Sequence, residues 1–216
     1  LRILLARGDV SYAQSACLRR YADLAVMVQN NSLNMVPFGD CGSYDAQGGG
    51  AAALLLQAAA WGADGGYKWV AAQAAPDSVA QDLFCAHLPM APPARHVGVF
   101  KLPMDPVIHA WACRPAFPGY PPPLRSPGVP PEQGFDKITL RGGWDAEDDY
   151  LLLQGFGGGQ HGHPDANSIS QYQRRRRLFL VDCDYIRRAP AQHNTVAVIR
   201  DGNQETPPVT ARCDQA

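Results

Sequence analysis

Between residues 76 and 134 the chain concentrates its prolines, in APDS, LPMAPPAR, KLPMDP and RPAFPGYPPPLRSPGVPP. Proline lacks an amide hydrogen and fixes φ, so it neither continues a helix nor sits in a central strand. The chain must therefore fold as two unlike parts, with residues 115–134 reading as a proline-rich linker between them. Ahead of the prolines, SYAQSACLRRYADLAVMVQNN sets Ala16, Leu18, Tyr21, Leu24, Met27 and Val28 at helical spacing and stops at Asn30 and Asn31. GGGAAALLLQAAAWGADGGYKWVAAQ predicts a second helix, a Gly-rich break at 62–66 and a third short helix. Helices in series with short loops point to an α-hairpin array. FCAHLP and HVGVFKLP read as short elements.

Behind the prolines the period changes. FDKITLRGG, DDYLLLQGF, SISQYQ, RLFLVDCDY, NTVAVIRDG and PPVTARC all read as strands, punctuated by Gly, Asp, Asn or Pro. Six strands packed this densely favour an antiparallel sandwich or barrel. The fold class expected is α+β, helices first and sheet second. A hydrophobic content of 46% and a charged content of 18% are those of a chain that buries a core. A net charge of −1 offers no global field for nucleic acid or a membrane surface. The longest apolar run, AAALLLQAAAW, is too short to span a bilayer. The six cysteines form no CxxC pair and no framework, so mostly free, buried thiols are expected. The sequence opens at Leu1 inside a helix-like run and ends just after a strand-like one. It is therefore expected to be a piece of a longer protein, and the lack of a leader pattern says nothing of location.

The chemistry concentrates in GFGGGQHGHPD, residues 155–165. In an extended segment His161 and His163 leave the same face, and the glycines allow a close backbone approach. Such a pair can hold a metal, or one imidazole can hold it while the other moves protons. Asp182 ends an apolar strand, where an isolated carboxylate is costly to bury, and His193 opens the next one. Neighbouring antiparallel strands could join His163, Asp182 and His193 into a donor set suited to zinc or another borderline ion. Spacing alone leaves two other readings open: a surface loop with two histidines, and an Asp182 that caps a turn.

FDKITLRGGWDAEDDYLLLQGFGGGQHGHPDANSISQYQ, then LFLVDCDY, then QHNTV, resembles the C-terminal β-domain of the heparinase II/III-like polysaccharide lyases. MVPFGDCGS with the Ala/Leu-rich helix, and GDVSYAQSACLRRY before it, resemble the end of that family's (α/α) toroid. The resemblance implies the end of an incomplete toroid in residues 1–114, the linker at 115–134, and an incomplete antiparallel β-sandwich at 135–216. It implies β-elimination on a uronic-acid polysaccharide, heparin/heparan-sulfate-like or alginate-like, bound in the cleft between the two parts. His161 would match the histidine that works at the cleft. His163, Asp182 and His193 would match the three protein ligands of a structural Zn²⁺, which would aim the loop that carries His161. A periplasmic or secreted location follows from the resemblance alone.

Removing the C5 proton of a uronate needs its carboxylate neutralised, a base, and an acid for the departing O4. In this family a tyrosine usually supplies the acid. Here Leu18 stands where the DGSY-type helix often carries a tyrosine, so Tyr21 is the nearest candidate, with Tyr12 behind it. The partners expected are an acidic polysaccharide and, as an open alternative, a second copy in a homo-oligomer. Neither nucleic acid nor a membrane span is expected.

Three further features are weighed on residue chemistry. The run Arg174–Arg177 reads as a solvated hairpin turn, because successive strand residues alternate faces and cannot all meet one ligand. GWDAEDDY reads as a solvent-facing turn, and Asp40 as a cap or loop residue. His87, His96 and His109 stand alone among prolines, and GGG at 157–159 lacks the GK[ST] of a phosphate loop. Two competing functions are a non-catalytic carbohydrate-binding fragment and a cupin-like metal enzyme. The second calls for a Glu four or five residues after His163, where Asn167 and Ser168 stand.

Overall fold

The computed structural model describes residues 16–38, 51–101, 133–157, 165–182, 189–205 and 211–213. Helix α1 spans Ala16–Met27, α2 Ala52–Gly62, α3 Gly65–Ala74 and the short α4 Pro76–Ala80. Strands β1 (Val97–Lys101), β2 (Phe135–Arg141), β3 (Tyr150–Gln154), β4 (Ser168–Arg174) and β5 (Arg177–Val181) form one sheet in sequence order, with every neighbouring pair antiparallel. The pair β6 (Ile199–Arg200) and β7 (Asn203–Gln204) makes a separate small ribbon. The protein is thus a mixed α+β fold.

The helices form where the sequence places them, but Tyr21 of the expected apolar stripe is exposed and Ala22 is buried in its stead. Leu18 and Ala22 of α1 join Leu55, Leu56 and Ala59 of α2 and Val70 and Ala71 of α3 in one apolar cluster. The break between α2 and α3 has two parts. Ala63 turns left-handed at φ 49°, and the Asp64 carboxylate accepts the Gly66 amide as an N-cap. α4 opens at Pro76, where the missing amide costs nothing. Helix α1 ends at Met27, three residues ahead of Asn30. The Asn30 side chain accepts the amides of Ser32 and Asn34 and so holds the turn that follows.

The sheet differs from the sequence expectation in two places. Its first edge strand is β1, from HVGVFKLP ahead of the linker, which the sequence marks only as a short element. NTVAVIRDG yields only the two-residue β6; of PPVTARC, Arg212 bridges Gly134, while 206–210 lie outside the described residues. The GWDAEDDY loop is only partly a solvent-facing turn. Trp144 packs edge-on against Trp69 and donates to the Pro93 carbonyl.

Register sorts the side chains into two faces of unlike chemistry. On one, direct cross-strand partners run Gly98, Thr139, Leu152 and Gln171; then Phe100, Lys137, Gln154 and Ser168; then Arg141, Tyr150 and Gln173. Apart from the partly buried Gly98 and Phe100, these residues are buried, and α1 with the segment 28–38 covers them. On the other face the partners run Val97, Leu140, Leu151, Tyr172 and Leu180; then Val99, Ile138, Leu153 and Ile169. All nine are apolar or aromatic, yet Val97, Leu140 and Leu180 are 55%, 42% and 38% exposed. Ala211 and Cys213 cover the end of this face at Phe135 and Ile138.

The covered face is joined to the helical part by hydrogen bonds. Arg141 donates through Nη2 to the carbonyls of Val26, at 2.9 Å, and Gln29, and through Nη1 to Asn31 Oδ1. Tyr150 donates to the Met27 carbonyl at 2.6 Å. Asn30 donates to Gln171 Oε1 at 2.8 Å, and Gln173 donates to Ser32 Oγ at 2.6 Å. A guanidinium is thus buried against the carbonyl end of α1, where the helix dipole is negative. Burial lowers the Arg141 pKa to about 10. The two layers come this close because Gly98 has no side chain: a Cβ there would lie 2.7 Å from Thr139 Oγ1 and 2.9 Å from Met27 Cγ.

Candidate functional site

Asp182 follows the last residue of β5, held by its amide to the Ser170 carbonyl at 2.7 Å. His193 follows the 3₁₀ turn Pro190–Gln192, and the next residue, Asn194, ties that loop to β4 by accepting the Ile169 amide. These two anchors bring the side chains together. His193 Nδ1 lies 2.9 Å from Asp182 Oδ1 and 3.1 Å from Oδ2, and both residues are buried. Of the three residues expected to come together, the structure brings Asp182 and His193 into contact, while His163 lies outside the described residues.

Asp165, the aspartate of HGHPD, is 1% exposed. Its charge acts on His193 along with that of Asp182. The His193 pKa is raised, chiefly by the hydrogen bond to Asp182, against the opposing effect of burial. The segment with His161 and His163 ends where Asp165 begins. Both histidines, with Tyr12 and Asp40, lie outside the described residues. Among the described residues no group of three or more His, Cys, Asp or Glu side chains forms a metal-binding cluster. The two donors that are described suit a metal. An imidazole nitrogen and a carboxylate oxygen are donor types that zinc takes, while His193 Nδ1 and the Asp182 carboxylate here engage each other by a hydrogen bond.

A cavity of about 330 Å³ opens between the helical part and the sheet, where α1, the start of α3, the 93–96 segment, β1 and β2 meet. Arg19, Arg95, His96, Tyr67 and the buried Arg141 line it, with Asp23 and Asp64. The two carboxylates are engaged locally: Tyr67 donates to Asp23 at 2.5 Å, and Asp64 caps α3. Burial, then the bond to Asp23, pushes the Tyr67 phenol up and holds it protonated. Arg19 and Arg95 have no carboxylate partner among the described residues, so the lining sets Arg19, Arg95 and Arg141 against Asp23 and Asp64.

Tyr21, the sequence candidate for the acid, is 51% exposed and does not line this cavity. Leu18 is 3% exposed within the helical core. The tyrosine at the cavity is Tyr67, and sequence reasoning missed it because its only signal is a place in the first turn of an apolar helix. His96, set aside as isolated, also lines the cavity; His87 is exposed, and His109 lies outside the described residues. Cys85 and Cys213 are free thiols, and Cys85 is buried with its Sγ 3.0 Å from the Leu56 carbonyl. No described helix is long and apolar enough to cross a membrane. Searches of family models, curated proteins and solved structures give no match to this chain.

Proposed function

We propose that the chain carries the junction of a polysaccharide lyase that cleaves uronate-containing chains, heparin/heparan-sulfate-like or alginate-like, by β-elimination. The observation that carries this reading is the meeting of Asp182 and His193 at the end of β5, in the order the resemblance requires. In this reading α1–α3 are the last helices of a toroid. The five-stranded sheet is one layer of a β-sandwich, and its apolar, half-exposed face gives the physical reason to expect a second layer.

His163, Asp182 and His193 would hold a Zn²⁺, a closed structural ion that supplies rigidity and no activated water. The residues of the chain do the rest. The anchored loop presents His161 to the cleft, where its imidazole removes or returns the proton at C5. Cationic side chains at the junction, Arg19 and Arg95 first, offset the substrate carboxylate and the charge that develops beside it. Tyr21 is the solvent-reachable phenol that would protonate the departing O4. Tyr67, held protonated by Asp23, does not serve as a phenolate base.

A second reading, a non-catalytic carbohydrate-binding fragment, is favoured by the burial of Leu18 and by the position of Tyr21 away from the cavity. The two separate in one assay. The zinc-loaded chain is incubated with heparan sulfate or alginate, and unsaturated uronate ends are followed by ultraviolet absorbance. The lyase reading expects product from the wild type and none from His161→Ala. Saturable binding with no product from the wild type would establish the binding fragment instead.

A further inference from the structure

We propose that the β4–β5 turn is a docking surface for the acidic polysaccharide, outside the helix–sheet cavity; this rests on the function proposed above. The turn is Arg175-Arg176, and both residues adopt the left-handed conformation, φ 49° and 61°. A two-residue hairpin with that geometry favours Asn-Gly, because a side chain with a Cβ is strained at positive φ. Two arginines hold this turn against their own conformational preference. Such outliers cluster at functional sites.

The run is the exposed hairpin turn that its sequence suggests, but alternation does not keep its arginines apart. It rests on the 142–149 loop through the Arg175 amide to Glu147 and the Arg176 amide to Ala146, each 3.2 Å from the accepting carbonyl. The bend gathers Arg174, Arg175 and Arg177 around one shallow groove of about 500 Å³, with Phe179 and Glu147 completing its wall. Glu147 is paired with Arg176 at 2.7 Å, and Arg174 with Asp149 at 3.4 Å. Arg175 and Arg177 have no carboxylate partner among the described residues. Phe179 is 58% exposed, backed by Tyr172 with ring centres 5.7 Å apart. The groove thus offers two guanidinium groups without a carboxylate partner among the described residues, beside an aromatic ring. A sulfate or carboxylate on a sugar, with the sugar ring against Phe179, matches that pattern.

The test is binding of the intact chain to a heparin oligosaccharide across a salt series, with neutral dextran and single-stranded DNA of matched length as comparisons. Arg175→Asn with Arg176→Gly installs the residues the turn prefers, so this variant keeps or raises the Tm and misfolding does not explain a loss. Arg177→Gln provides a second, independent variant. The expected result is binding to heparin and not to dextran, weakened roughly tenfold at low salt by either variant, with a log–log salt slope lower by about one per groove cation removed. Unchanged affinity in both variants overturns the proposal, and equal binding of DNA overturns the choice of polysaccharide. Zinc content and product formation are read separately, so a failure here is distinguishable from a failure of the lyase assignment.

Discussion

The two faces of the five-stranded sheet invert the usual arrangement. A sheet with one covered side normally buries its apolar residues and shows its polar ones. Here Lys137, Thr139, Arg141, Gln154, Ser168, Gln171 and Gln173 are buried, whereas Val97, Leu140 and Leu180 on the opposite side stand partly in solvent. The cover explains the first half. The segment laid on the buried face is Gln29, Asn30, Asn31 and Ser32 with the carbonyl end of α1, so hydrogen bonds join the two layers. The proposed second sheet layer explains the other half. The two faces therefore respond differently to substitution: the polar face is specific and intolerant, and the apolar face is permissive until it is covered.

Arg141→Met breaks that contrast most severely. It leaves the Val26 and Gln29 carbonyls and the Asn31 amide oxygen buried without their donor, a loss of about 3–5 kcal/mol by urea denaturation. Arg141→Lys recovers little of it, because an ammonium does not reproduce the planar fork. Tyr150→Phe removes one donor from the same helix end and costs about 1–2 kcal/mol.

On the apolar face, Leu140→Thr and Leu180→Thr each cost about 0.5–1 kcal/mol in this chain, since both side chains already meet solvent. A loss of about 2 kcal/mol or more at either would mean that another layer already covers the face. The smallest effect is titratable. With metal removed by chelator, the charged His193–Asp182 pair stabilises the fold fully below the unfolded histidine pKa of about 6.5. That contribution is lost as pH rises through the raised folded value. Asp182→Asn weakens this dependence in a pH series of Tm, leaving the smaller effect of Asp165.

Much of the fold was legible because its signals are local. Helical spacing in 16–28, the Gly-rich break before α3 and alternation in β2, β3 and β4 each follow from a few consecutive residues. The inversion of the sheet was not legible, since alternation reports that two faces differ and says nothing of what covers each. β1 was hidden among prolines, because a five-residue apolar run carries little information without its partner strand. At the candidate site, Asp182 and His193 could be paired by their place at the ends of successive strand-like runs. Tyr67 and His96 reach the cavity only through tertiary packing. The arginine run was legible as an exposed hairpin turn; that its left-handed bend gathers Arg174, Arg175 and Arg177 around one groove was not, because alternation along a strand keeps neighbours apart and a turn does not.

In the proposed function the end of β5 is a metal centre and not a turn held by an isolated ion pair. Elemental mass spectrometry of the purified chain, wild type beside His163→Ala, tests it most directly. About one zinc per wild-type chain and none in the variant is the expected result. A well-folded wild type without metal would contradict it, leaving Asp182 and His193 as a buried structural pair and removing the main support for the lyase assignment.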